Sequence, residues 1–390
     1  MSLYLDKTGW KRVAFGDVIR NITERVDDPQ QAGVDRYVGL EHLDPGVLTV
    51  QRWDSPDKVA AQKLRFYPGD VIFGRRRAYQ KKVAMAEFEG ICSAHALVLR
   101  ADPNFIQPDF LPVFLASDYF LDRAISISVG SLSPTVNWRD LKVQEFDLPP
   151  LDEQQRIANL LWALEGQRAA LAALRTQIAG SEAALVATIE SRAPKREPLG
   201  DLVETILDRR GITPTKLGGK FTPNGVPVVS AMNVVEGRLD LARQERFVPD
   251  QVAQRWMPGA LHPGDIIMTS EAPLGSLVLI SKTRRLCLGQ RLFGLRPAKR
   301  MIVPEYLYAW LGSDSGQSAL DARSSGTTVK GIRQAELVRV EVPLVPIEEQ
   351  RRFVDTWRRI QASLATLNAQ AEQLVALRAA LFAEIFGGAE

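Results

Sequence analysis

Hydrophobic residues recur with two different periods along the chain. Residues 11–150 and 197–346 carry short β-favouring runs set between Gly and Pro turns: DVIF (70–73), HALVLR (95–100), DIIMT (265–269) and SLVLIS (276–281). Runs of this length, bounded by turn residues, predict short strands in compact α+β modules with irregular sheets. Each stretch also offers one short helix after a proline, FLPVFLASD at 110–118 and EYLYAWLGSD at 305–314.

Beyond each stretch the period changes. Ile157, Leu164, Leu171, Ile178 and Leu185 recur every seven residues, with Leu160, Leu161 and Leu174 widening the stripe. Phe353, Ile360, Leu367, Leu374 and Leu381 do the same, with Trp357, Leu364, Leu377 and Ile385 beside them. A seven-residue repeat without an internal proline predicts two long helices with coiled-coil seams. Asp152, Glu153, Glu348 and Glu349 stand near the expected helix starts, where unpaired N–H groups favour negative charge. Pro149, Pro150 and Pro346 mark where extended chain stops, and Pro194 limits the first helix. A helix of about 38 residues would run roughly 57 Å. An apolar seam needs a partner, and the other seam of the same chain is the nearest one. Packing of each helix on its own module, or dimerisation of the chain, would cover the seams as well.

The two halves repeat one another. FYPGDVIF at 66–73 answers LHPGDIIM at 261–268, Cys92 answers Cys287, TVNWRDL at 135–141 answers TVKGIRQAEL at 328–337, and PPLDEQQRI at 149–157 answers VPIEEQRRF at 345–353. Four features in one order define an internal repeat of about 195 residues. The cysteines then occupy matched positions, expected to be buried strand residues rather than a disulfide or zinc framework.

Composition adds limits rather than a function. With 45% apolar and 24% charged residues the chain reads as folded and soluble. A net charge of +3 means that any basic face is local. MSLYLDKTGWKRV at the start has no apolar signal region and no run is long enough to cross a bilayer, so a cytoplasmic location and no membrane partner are expected.

A search for chemistry finds no catalytic constellation and no metal site. His42, His95 and His262 are isolated, and no phosphate-binding glycine motif is present. Asp70 and Asp265 follow Pro-Gly, a turn that ordinarily caps the entry of a strand. The clearest local charge is GRRRAYQKK at 74–82, where Arg75, Arg76, Arg77, Lys81 and Lys82 surround Tyr79 without an acid. A hairpin tip of this composition can place guanidinium forks on phosphates or guanine edges and an aromatic ring on a sugar or base. The same run also suits a solvated hairpin with no ligand. The matched stretch of the second half, TSEAPLGSLV at 269–278, is acidic through Glu271, and Arg209, Arg210, Arg284 and Arg285 are its nearby basic candidates. His95 and Gln290 hold matched places three residues past the cysteines, where they could reach base edges or make internal hydrogen bonds.

Taken together, the module words PGDVIFGRRRAYQKKVAMA and PGDIIMTSEAPLGSLVLI, YVGLEHLDPG (37–46) and PVVSAMNVVEG (227–237), and the junctions PPLDEQQRIANLL and VPIEEQRRFVDTW resemble the specificity subunit of a type I restriction-modification enzyme. The resemblance covers essentially the whole chain. It implies an α+β fold in which two target recognition domains (1–150 and 193–346) alternate with two spacer helices (151–192 and 347–390) that pack as an antiparallel coiled coil. It implies a non-catalytic chain, without cofactors of its own, that reads a bipartite asymmetric site in double-stranded DNA. Two modification subunits using S-adenosylmethionine would methylate adenine N6, and restriction subunits using ATP and Mg would cut. A modification-only or other phage-defence complex is the alternative, and a protein-binding coiled-coil scaffold a more distant one. The acidic second tip departs from the first, so its role does not carry over to that loop.

Overall fold

The computed structural model describes residues 7–327 and 329–387, so Thr328 of the repeated TVKGIRQAEL and the ends of the chain, 1–6 and 388–390, lie outside the described residues. Two compact units result, one from residues 1–173 and 368–390, the other from 174–367. Each contains an α+β module and a segment of both long helices.

In the first unit an antiparallel four-stranded sheet runs in the order Ile19–Ile22, Leu97–Ala101, Val71–Phe73, Val83–Met85. A second sheet orders Arg25–Val26, Lys63–Phe66, Gly90–Ser93 and Tyr37–Val38, the last pair parallel. Lys11–Ala14 pairs with Glu145–Leu148 and so closes the module at the junction with the helix. Its core is aromatic: Phe15 stacks on Phe120 at 5.4 Å and Phe114 meets Phe146 edge-on at 5.3 Å.

The second unit repeats this order. Val203–Asp208, Leu292–Pro297, Ile266–Thr269 and Leu277–Leu279 form the four-stranded sheet, and Lys195–Pro198 pairs with Glu341–Leu344. The parallel pairing recurs too: Val38 faces Cys92 in one unit and Val228 faces Cys287 in the other. Both cysteines are buried and free, the matched strand positions that the repeat predicts. Burial pushes both thiols up, Cys287 to about 11.

Where one short helix per module is expected, the structure has two in tandem, Phe110–Leu115 with Asp118–Ser126, and Pro304–Gly312 with Asp314–Ala322. A serine makes each break. Ser117 Oγ donates to the Phe114 carbonyl and accepts from the Phe120 N–H; Ser313 does the same with Trp310 and Gly316. One hydroxyl thus ends one helix and caps the next.

The long helices run Leu151–Arg192 and Ile347–Phe386, 42 and 40 residues. Their seams pair within each unit. Ile157, Leu161 and Leu164 share a buried core with Leu381, Ile385 and Phe386 in the first, and Val186 and Ile189 with Phe353 and Val354 in the second. Glu165 accepts from Arg378 Nε at 2.7 Å, and Glu182 accepts from Trp357 and Gln361, both at 2.8 Å. A residue early in one helix meets one late in the other, which is antiparallel pairing. Leu160, Leu174 and Leu377, expected to widen the stripe, are instead 37%, 42% and 48% exposed. Leu161 and Ile385, four residues past a stripe residue, face the contact, whereas these three, each three residues past one, face outward.

The repeated junction phrase has a local physical cause. Gln154 and Gln350 are buried at the first turn of each long helix. Gln154 Oε1 accepts from the Gln107 N–H at 2.8 Å while Nε2 donates to the carbonyls of Pro149 and Phe105. Gln350 repeats the pattern with Val303, Val345 and Met301. Each glutamine satisfies backbone groups of two segments that neither sheet nor helix can pair. The phrase is written twice because each helix must be clasped to its own module.

Candidate nucleic-acid interface

Strand register decides which candidate residues come together. In the first unit Leu97 pairs with Phe73, so the hairpin that leaves Phe73 and the turn bearing His95 lie at one end of the four-stranded sheet. At the other end, Asp70 accepts the Tyr67 N–H and a bidentate fork from Arg100 at 2.7 and 2.8 Å. Asp265 repeats that turn with His262 and Arg296. These carboxylates hold strand entries, and their hydrogen bonds raise both arginines above the ordinary guanidinium range.

The tip itself is ordered by its backbone. Gly74 N–H donates to the Lys82 carbonyl, and Arg77 and Lys81 both adopt left-handed φ, 57° and 53°. Such conformations are unfavourable for side-chain-bearing residues and persist where surrounding bonds impose them. The loop 129–135 holds Arg77, whose N–H donates to Pro134 O at 2.7 Å while Val136 N–H donates to Arg75 O at 2.9 Å; Lys81 N–H bonds the Ala78 carbonyl within the tip. Arg76, Arg77 and Tyr79 are exposed, Tyr79 by 52%. Among the described residues none of Arg75, Arg76 and Arg77 pairs with a carboxylate; Arg76 reaches only Ser133 Oγ, at 3.4 Å. Two of the expected members are engaged elsewhere. Lys82 donates to the Leu40 carbonyl, and Lys81 pairs with Asp118. His95 is exposed, its backbone N–H taken by Ser93 Oγ.

In the second unit Thr269 pairs with Leu292 and Asp208 with Phe293, which brings Arg209, Arg210 and Gln290 to the end where the tip 270–275 emerges. Arg210 is chelated by Asp208 at 2.9 and 2.7 Å and lies 4.0 Å from the Phe293 ring centroid. Burial pushes the Asp208 carboxyl up, but the hydrogen bonds and charge of Arg210 outweigh it, leaving Asp208 below the usual carboxylate range. Glu271 pairs with Arg291 at 3.3 Å. Arg284 and Arg285 are not brought to this end: Arg284 bridges Leu261 at the strand entry, and Arg285 pairs with Asp250 at 2.9 Å. Arg75 Nε, Arg209 Nε and Ser270 Oγ are buried without a hydrogen-bond partner among the described residues.

Sequence reasoning missed two features at these ends. One is the loop 129–135. The other is a pocket of about 390 Å³ whose lining includes Thr213, Lys220, Phe221, Ser230, Arg246 and Gln290, with the Arg246 guanidinium 5.3 Å from the Phe221 ring. The signal for the loop is present in its serine, glycine and proline content around a lone leucine, VGSLSPT. The pocket draws on residues scattered between 212 and 290, and no local word marks it. Among the described residues no group of three or more His, Cys, Asp or Glu could hold a metal. No described helix is long and apolar enough to cross a membrane.

Two copies of one α+β module, each with segments of two paired helices and alike in their cores but not in their exposed loops, define a duplicated recognition scaffold. The sequence profile of the Type I restriction modification DNA specificity domain matches residues 46–178 and 198–376. The chain belongs to this family. It is 33% identical over 157 residues to the EcoDI specificity subunit of Escherichia coli, a match covering 38% of this chain and 33% of that relative. It is 24% identical over 330 residues to the EcoBI specificity subunit of Escherichia coli, covering 77% and 67%. The fold matches the crystal structure of a type I restriction-modification S subunit from M. genitalium with TM-score 0.62 at 15% identity, covering 99% of this chain and 97% of that one. A chain from a structural study of complex assembly in the type I R-M system matches with TM-score 0.54 at 22% identity, covering 98% of each.

Proposed function

We propose that this chain is the DNA-reading component of a type I restriction-modification assembly. Each unit reads one part of a bipartite, asymmetric duplex site. The chain contributes no catalytic group; two methyltransferase subunits carrying S-adenosylmethionine modify adenine N6, and restriction subunits using ATP and Mg cleave unmodified DNA. The assembly works in the cytoplasm, where the DNA is. One observation carries the reading. Arg75, Arg76 and Arg77 stand with exposed Tyr79 on the hairpin at one sheet end, and their guanidinium groups have no carboxylate partner among the described residues. Unpaired basic groups on a rigid hairpin suit phosphate oxygens and guanine edges, whereas a purely structural arginine is ordinarily paired, as Arg100 and Arg296 are.

The test replaces Arg75, Arg76 and Arg77 by Ala in the complex with its methyltransferase subunits. Each arginine that neutralises a phosphate adds about 0.9 to the slope of log affinity against log salt, so a drop between about 0.9 and 2.7 is expected. Guanine readout by any one of them appears as relaxed sequence preference in one half-site of the methylated-adenine map. Unchanged affinity, slope and map would refute the reading.

A further inference from the structure

Leu132 is 90% exposed, more than any other large hydrophobic residue described. Its loop is not slack. Val129 and Thr135 exchange two backbone hydrogen bonds of 3.0 Å, Gly130 takes a φ of +116° that favours glycine, and Thr135 Oγ1 donates to the Ser133 carbonyl. The loop is pinned to the basic hairpin by the Arg77 and Val136 amides and by Arg76 on Ser133. A leucine is thus held out in water by a built loop beside two unpaired guanidinium groups. Val129, at the loop's base, is 63% exposed.

The second unit repeats the device, with Gly326 at a φ of +109° in the place of Gly130. Ser325 and Gly331 exchange two bonds of 2.9 Å, the Ile332 N–H donates to Ser270 O at the neighbouring tip, and Val329 is 53% exposed. Charge differs between the two tips, but an aliphatic side chain is presented at both. Water gives no reason to keep it there.

We propose that Leu132 is a base-contacting residue that lies against a thymine methyl group in the major groove, next to the phosphates or guanines taken by Arg76 and Arg77, with Val329 in the same role in the second unit. The inference rests on the DNA-reading function proposed above. The occupant follows from the surroundings: an apolar protein partner would have to bury two unpaired guanidinium groups, which is unfavourable. A DNA groove offers phosphates to the arginines and, on thymine alone, a methyl group to the leucine.

The experiment uses the complex with its methyltransferase subunits and a duplex selected by the wild-type complex from a random-sequence pool. Leu132→Ser should bind that duplex about tenfold more weakly, with an unchanged salt slope. Deoxyuridine in place of thymine in one half-site should weaken wild-type binding by a similar factor and leave the variant's binding unchanged. Wild-type affinity for the Leu132→Ser variant, or for a duplex in which every thymine is replaced, overturns the proposal. So does a variant that binds DNA normally once assembled but no longer assembles with the methyltransferase subunits, which would mark the loop as a protein contact. If the triple arginine variant weakens binding and Leu132→Ser does not, only this inference falls. If neither does, and the salt slope and methylated-adenine map are also unchanged, the DNA-reading function falls with it. An unchanged urea midpoint for Leu132→Ser confirms that the fold is intact.

Discussion

Gln154→Ala tests the clasp that joins the first module to its helix. The side chain is 1% exposed and holds three backbone groups, the N–H of Gln107 and the carbonyls of Pro149 and Phe105. The bond to the Phe105 carbonyl, 3.1 Å long, is the longest of the three and only part-buried, so it is left out of the sum. The Gln107 N–H and the Pro149 carbonyl have no other partner among the described residues. Leaving one buried and one part-buried backbone group unsatisfied costs about 1–3 kcal/mol each, hence roughly 2–6 kcal/mol in all. Against a domain stability of about 5–15 kcal/mol, that is a large fraction. Urea unfolding measures the total. Hydrogen exchange at the Gln107 amide localises it, since each 1.4 kcal/mol lost locally speeds exchange by about tenfold. Gln154→Met separates bonding from packing, because it fills the space without offering a donor or acceptor. The reasoning requires both variants to lose similar stability. A Met variant within about 0.5 kcal/mol of wild type would show that volume, not the hydrogen bonds, makes the glutamine necessary.

Two further predictions concern buried polar chemistry. Glu165→Leu should cost about 3 kcal/mol, because both Arg378, whose Nη2 already lacks a partner, and the more exposed Arg168 lose their carboxylate; adding Arg378→Met should recover the part due to Arg378 in a double-mutant cycle. Cys92 and Cys287 should resist alkylation at pH 8.5 in the folded protein and react fully in urea, because burial raises both thiols. The sign for stability follows: the contribution of Cys287 is complete below the unfolded thiol pKa, about 8.5, and is lost as pH rises through about 11. Rapid native labelling at pH 8.5 would contradict the burial.

The parts of the fold that can be read from sequence are those set by periodicity and repetition. The buried ends of the seams, Ile157 and Leu164 with Leu381 in one unit and Phe353 in the other, follow a seven-residue spacing, whereas Leu171, Ile178 and Ile360 between them are half-buried; the cysteines follow from matched order in two halves. The tandem helices are not legible there, because Ser117 and Ser313 break a continuous apolar run through single hydroxyl bonds that leave no trace in hydropathy. At the candidate site the basic hairpin is visible as composition. That Lys82 is tied to Leu40 and Arg210 to Asp208 is not, since both depend on partners chosen by the fold. Nearness in sequence groups Arg284 and Arg285 with the second tip, whereas strand register places them at the strand entry.

The duplication separates two demands on one backbone. The pairs that match between the halves, Gln154 with Gln350, Asp70–Arg100 with Asp265–Arg296, Ser117 with Ser313 and Cys92 with Cys287, all act inside the module or at its junction. The places that differ most, 74–82 and 270–275, lie at the exposed sheet end and carry five basic residues in one copy and a single glutamate in the other. Altering an inner pair leaves buried groups unsatisfied and is felt as instability, whereas altering an exposed tip changes only what the tip can bind. A module with this division can change its ligand without changing its fold. Two copies of it in one chain can therefore carry two different tips while presenting the same clasp to each long helix.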